Sequence, residues 1–204
     1  MGRNNKRPRL IELWHDPREV VFQHDERGTF ATDRTAIWSL HGLPLADPRL
    51  VPNQDGFYRV GKTVVTRLSK QINPEREGHL ADKFTQWAAD DADRPWQPVT
   101  LTAWRLHRCR VGITEGGPVL IGEHVADLCD RYGPLALALR HADGEDHKLR
   151  LAWSRIWRRT EYGGDYDQHT AVAIVQPATM PHSGPARTVL EAITTSHQRD
   201  RTLI

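Results

Sequence analysis

The chain has 204 residues, 38% of them apolar and 26% charged, with a formal net charge of +2. A chain of this length buries about 70% of the surface its unfolded form exposes, so it can build a core without a disulfide or structural metal framework. The composition excludes a disordered class, the two cysteines, Cys109 and Cys129, exclude a disulfide scaffold or four-cysteine zinc site, and no apolar run is long enough to cross a bilayer.

Residues 1–9 carry Arg3, Lys6, Arg7 and Arg9 and no acid, which reads as a flexible basic arm. No apolar segment follows these charges, so they do not form a secretory signal. With so few cysteines, this points to the cytoplasm. Residues 10–196 form a single domain, and 197–204 a polar tail. Lysine is confined to Lys6, Lys62, Lys70, Lys83 and Lys148, and arginine supplies the other cations.

Residues 19–33 read as a hairpin turning at Asp25-Glu26-Arg27-Gly28. The stretch 43–56, interrupted by Pro44, Pro48 and Pro52, is an irregular connection. Residues 57–68 are rich in strand formers, although a helix can also begin near Lys62. Asn73-Pro74-Glu75 has the form of a helix start with Pro at the first position. Leu80, Phe84, Trp87 and Ala88 then follow at helical spacing, which predicts an amphipathic helix over 75–92. Its outer face carries Asp82, Asp90, Asp91 and Asp93. Acids at a helix C-terminus oppose the macrodipole, so the helix ends before Asp93.

The second half is mainly β. Residues 98–113 are expected to form one long strand. A short helix over 122–132 places Val125, Leu128 and Cys129 on one face and is stopped by Gly133-Pro134. Leu135, Leu137 and Leu139 alternate with alanines, a polar loop with Asp143-Gly144 follows, and Leu149, Leu151 and Trp153 alternate with Lys148, Arg150 and Ala152. This is a β-hairpin spanning 135–157. A further strand is expected at 170–176 and a short helix near 187–195. The expected fold is therefore α+β: a mainly antiparallel sheet of β-hairpins, with one amphipathic helix and one or two short helices packed on it.

Three groups of residues suggest chemistry. The first is Gly56 to Thr63, GFYRVGKT, which satisfies the phosphate-cradling G-x-x-x-x-G-K-[ST] string. It makes Gly61, Lys62 and Thr63 a nucleotide site if a buried strand precedes it and a helix follows. Bulky residues at its variable positions and the β-branched Val64-Val65-Thr66 favour a plain strand. The second is the loop 141–148, where Asp143 and Asp146, with Asp130 as a further carboxylate, have the hard oxygens a divalent ion requires. Lys148 would steady the attacking water of a metal-dependent phosphodiesterase. The alternative is an ordinary polar turn.

The third is cationic. Arg105, Arg108 and Arg110 follow Trp104 in the expected long strand, and Arg150, Arg158 and Arg159 lie in and beyond the later one. If these strands are neighbours, they give an Arg-lined face for phosphates, with Trp104 able to stack on a base. There is no nucleophile elbow, zincin motif or dinucleotide fingerprint. The expectation is thus a non-enzymatic accessory or regulatory protein contacting DNA or RNA, with no required cofactor. The alternatives are an enzyme using a divalent metal or a nucleotide, and a protein–protein interaction module docking through the acidic helix.

Overall fold

The computed structural model describes residues 7–41, 43, 45–73, 78–89, 97–114, 117–132, 136–140, 150–154, 171–175, 187–193 and 195. At 97–98, 136–140, 150–154 and 171–172 only the backbone is described. A 3₁₀ turn, η1 (Leu10–Leu13), is followed by β1 (Val20–Asp25), β2 (Gly28–Thr32) and β3 (Ala36–Ser39). A second 3₁₀ turn, η2 (Pro48–Leu50), precedes β4 (Gly56–Val60), β5 (Val65–Arg67) and helix α1 (Leu80–Ala88). Next come β6 (Gln97–Pro98), β7 (Thr100–Leu106), β8 (Cys109–Thr114), β9 (Gly117–Gly122) and helix α2 (Glu123–Tyr132). The strands β10 (Ala136–Arg140), β11 (Arg150–Ser154) and β12 (Ala171–Val175) follow, and residues 187–193 form helix α3.

The strands make two antiparallel sheets. The larger has nine strands in the order β5-β4-β1-β2-β3-β12-β11-β10-β6, and the smaller is β7-β8-β9. The fold is α+β, as its hairpins implied. β1 and β2 pair with Asp25 opposite Gly28, and the Asp25 carboxylate accepts from the Arg27 amide at 2.8 Å, closing the turn. β10 and β11 pair from Ala136 opposite Ser154 to Arg140 opposite Arg150, the hairpin that the alternating leucines predict.

Apolar side chains leave both faces of the large sheet, which is why its strands read as VVF, AIW and AVAIV rather than strict alternations. One face carries Val20, Phe22, Trp38, Tyr58 and Val175 and packs on Leu10 and Leu13 of η1, Val119 and Ile121 of β9, and Val125, Leu128 and Cys129 of α2. The opposite face carries Val21, Phe30, Ile37, Phe57 and Ile174 and packs on Leu80, Ala81 and Phe84 of α1. The outer face of the small sheet has its own cluster, where Val111 and Leu120 meet Leu190 of α3. At Gly112 a Cβ would lie 2.6 Å from Val99 Cγ1 and 2.9 Å from Ile121 Cδ1. Only glycine lets β8 pass that close to the chain joining β6 to β7.

Several elements differ from expectation. Helix α1 covers Leu80–Ala88 of the expected 75–92 and does not run back through Gly78, left-handed at φ +62°, and the extended His79, while 75–77 and 90–92 lie outside the described residues. The expected long strand 98–113 is broken into β7 and β8 by a turn at His107-Arg108, with His107 left-handed at φ +54°. Strand β9, unforeseen, occupies the stretch before α2. No helix follows Lys62; β5 does. The expected arm is held from Pro8 onward, since Pro8 is buried and its carbonyl accepts from the Ala46 amide at 2.9 Å. No helix among the described residues is long and apolar enough to cross a membrane.

Candidate functional site

The turn at 107–108 changes the geometry of the expected Arg-rich face. In one continuous strand Arg105 and Arg110 would point to opposite sides; in the hairpin they are direct cross-strand partners and share a face. That face is turned toward α2. Arg105 pairs with Glu123 at the start of the helix and Arg110 with Asp130 near its end. The Arg110 Nε also donates to the Thr102 carbonyl at 2.9 Å, and its side chain is only 11% exposed. Two arginines expected to meet phosphate therefore fasten a helix to a sheet. Asp130, expected as a metal carboxylate, is the counter-ion of one of them.

The remaining members of the set are dispersed. Arg108 is exposed in the turn, and Trp104 is 60% exposed on β7. Arg150 lies on β11, in the other sheet, opposite Arg140. Arg158 and Arg159 lie outside the described residues, as do the loop acids Asp143 and Asp146, and Asp90, Asp91 and Asp93 of the expected acidic helix. The remaining acid of that helix face, Asp82, accepts from Arg27 at 2.7 Å.

Gly61, Lys62 and Thr63 form the tip of the β4–β5 hairpin, where the Gly61 amide donates to the Val64 carbonyl at 2.8 Å. A phosphate-cradling loop requires strand, loop and helix in succession, so that backbone amides and a helix N-terminus converge on the phosphate. Here a second strand returns instead, and the nucleotide string is a turn. Lys62, Thr63 and Val64 project from it, and Val64 is 61% exposed.

Beside this hairpin is a cleft of about 420 Å³ between β1, the loop before β4, the segment after β5 and the start of α1. Phe30, Ile72 and Ala81 give it apolar walls, and Arg67, Lys70, His24, His79, Asp25 and Asp55 give it a polar rim. Gln23 shapes one side: its Oε1 accepts from the Leu80 amide at 2.8 Å and its Nε2 donates to the Gly78 carbonyl at 2.9 Å, satisfying the first turn of α1. His24 and Asp55 are 2.9 Å apart, as in a catalytic dyad. The second ring nitrogen of His24 faces the Pro52 carbonyl at 2.9 Å, however, so neither nitrogen is available to a substrate. The pair pins the loop 52–55 to β1. Arg67 is similarly engaged, donating to Gln54 Oε1 at 2.9 Å and to the Asp55 carbonyl at 3.0 Å. Comparison with family models, curated proteins and solved structures finds no match.

The cysteines do not form a nucleophilic site. Both are free. Burial pushes the Cys129 thiol up to about 12, with the Asp130 charge adding to it, and burial followed by the Glu123 charge raises that of Cys109. A thiol held protonated is a poor nucleophile.

Proposed function

We propose that this chain is a non-enzymatic protein that contacts nucleic acid through phosphates, and that its contact surface is the β4–β5 hairpin. One observation carries the reading. From Gly56 to Ile72 the chain holds Arg59, Lys62, Arg67 and Lys70 and no acid. This segment forms the outer edge of the nine-stranded sheet. Arg59 and Lys62 are exposed and have no ion pair among the described residues. Arg67 and Lys70 continue the cationic strip to the rim of the cleft, with Lys70 partnered by Glu19. A two-stranded ribbon fits the major groove of a duplex, and cations on it gain affinity by releasing condensed counterions.

The test is fluorescence anisotropy with labelled duplex DNA, single-stranded DNA and RNA over a range of salt concentrations. Binding at low salt is expected, with a linear log–log salt dependence. In Arg59→Glu/Lys62→Glu the salt slope falls by about 2, because two phosphate contacts are lost. Absence of binding to all three probes at low salt, or an unchanged slope in the double variant, overturns the reading.

A further inference from the structure

Between α1 and the face of the large sheet beneath it lies a second cavity, of about 320 Å³. Its floor is one row of side chains running across four strands. Val21 of β1 stands opposite Thr32 of β2, Thr32 opposite Ile37 of β3, and Ile37 opposite Ile174 of β12. Direct partners on neighbouring strands project on one side of a sheet, and all four residues line the cavity. Leu80 and Trp87, two turns apart on α1, form its wall. Phe84, between them, meets the Phe30 ring at 5.5 Å instead. Trp87 is half-buried beside the space.

The turn from β2 to β3 forms the mouth, with Arg34 and Thr35. Arg34 is left-handed at φ +74°, a backbone conformation that residues with a Cβ rarely adopt. The turn is fixed from within. The Thr32 hydroxyl donates to the Ala36 carbonyl at 2.6 Å and accepts from the Arg34 amide at 2.9 Å. The buried Asp33 carboxylate accepts from the amides of His15 at 2.7 Å, Asp16 at 3.1 Å and Thr35 at 3.0 Å. Strained backbone held by its surroundings in this way concentrates at ligand sites. The Arg34 side chain is 65% exposed and is steadied by Glu19 at 2.9 Å, and the same carboxylate pairs with Lys70. One carboxylate thus meets two cations, which leaves the trio with a net positive charge.

We propose that this cavity binds a compact aromatic carboxylate, with its ring between the sheet row and Trp87 and its carboxylate on Arg34. Charge sets the sign of the ligand. Among the described residues, the charged side chains lining the cavity are Arg34 and Lys83, both cations. The Lys83 ammonium lies against Gly78, where a Cβ would come within 3.1 Å of Nζ, so Arg34 is the anchor. A guanidinium presents paired donors that match a carboxylate. The volume stands at the lower end of small-molecule sites, roughly 300–1,000 Å³, and suits a small ring system. Thr32 is the polar member of the floor, and its hydroxyl is already engaged as donor and acceptor. The floor therefore favours a hydrocarbon ring over a nucleobase, whose ring nitrogens would be left unpaired.

The test titrates the full chain with naphthoate and follows the isoleucine methyl signals by NMR. The Ile37 and Ile174 signals are expected to shift together, while those of Ile113 and Ile193, at the small sheet, stay still. Neutral naphthamide should bind about tenfold more weakly, because it lacks the charge-assisted bond to Arg34. Arg34→Gly suits the left-handed backbone and keeps the fold by circular dichroism. It should abolish the preference for the acid over the amide. Trp87→Leu should weaken both ligands, and adenosine monophosphate should leave the two methyls unmoved. The proposal is overturned if neither methyl shifts at millimolar naphthoate, or if the amide binds as tightly as the acid. It is equally overturned if Arg34→Gly keeps the preference, if Trp87→Leu binds naphthoate as the parent does, or if the nucleotide moves the same methyls.

Discussion

Two hairpins of this protein look alike as strings and differ as surfaces. β7–β8 carries Trp104, Arg105, Arg108 and Arg110; β4–β5 carries Arg59, Lys62 and Arg67. In the first, Arg105 and Arg110 are directed at the acids of α2. In the second, the tip and edge cations face outward at the rim of the large sheet. The density of arginine is therefore a poor guide to an anion-binding surface. What matters is whether an acidic neighbour from elsewhere in the chain has already claimed the charge.

The sharpest way to break this contrast is Arg110→Ala. The substitution removes a nearly buried guanidinium, its bond to the Thr102 carbonyl and its pair with Asp130. Urea denaturation is expected to show a loss of about 2 kcal/mol. A loss under about 0.5 kcal/mol would mean that Arg110 does not hold α2. The complementary change, Arg59→Glu/Lys62→Glu, is expected to weaken nucleic-acid binding at least tenfold, equal to about 1.4 kcal/mol. Its unfolding free energy should stay within about 0.5 kcal/mol of the parent, because both side chains are exposed. If it destabilises as Arg110→Ala does, the two hairpins are not different in kind.

Arg105→Ala separates the two members of the inward pair. Arg105 is 59% exposed, so solvent screens its bond to Glu123, and its removal should lower stability by no more than about 0.5–1 kcal/mol. That loss should fade in high salt, whereas the Arg110→Ala loss should persist.

The smallest effect concerns the other tie on α2. Glu12 of η1 accepts from the Tyr132 hydroxyl at 2.7 Å and lies 3.6 Å from Arg131. Burial pushes its carboxyl up, but the Arg9 amide, the Tyr132 hydroxyl and the Arg131 and Arg9 charges outweigh this and hold it below the ordinary range. A depressed carboxyl contributes stability above its unfolded pKa, near 4.3, and loses it as pH falls through the folded value. The parent should therefore exceed Glu12→Gln in stability at pH 6, with the difference shrinking below about pH 4. A difference that stays constant down to pH 2 would contradict the sign.

Much of the local architecture is legible in the residues. The alternating leucines of 135–139 and 149–153 specify a hairpin, and Asp25 to Gly28 specifies another. Val125, Leu128 and Cys129 mark the buried stripe of α2, and Leu80, Phe84 and Trp87 that of α1. The misread places share a cause. His107 and Gly78 adopt left-handed backbone that no run of turn residues announces, so the expected strand divides at one and the expected helix is interrupted at the other. A single unforeseen turn was enough to reverse the relative facing of Arg105 and Arg110, because side-chain direction alternates at every residue.

The sequence by itself determined the α+β class, the hairpins β1–β2 and β10–β11 and the two apolar helix stripes, since each follows from turn residues or from periodicities of two or 3.6 residues within a short window. Only the tertiary structure decided which charges remain free. Arg105 and Glu123 are 18 positions apart and Arg110 and Asp130 are 20 apart, and no local period joins them. They meet because β8 and β9 pair and α2 folds back across the small sheet. Whether a cation serves the fold or faces a partner depends on that through-space neighbour.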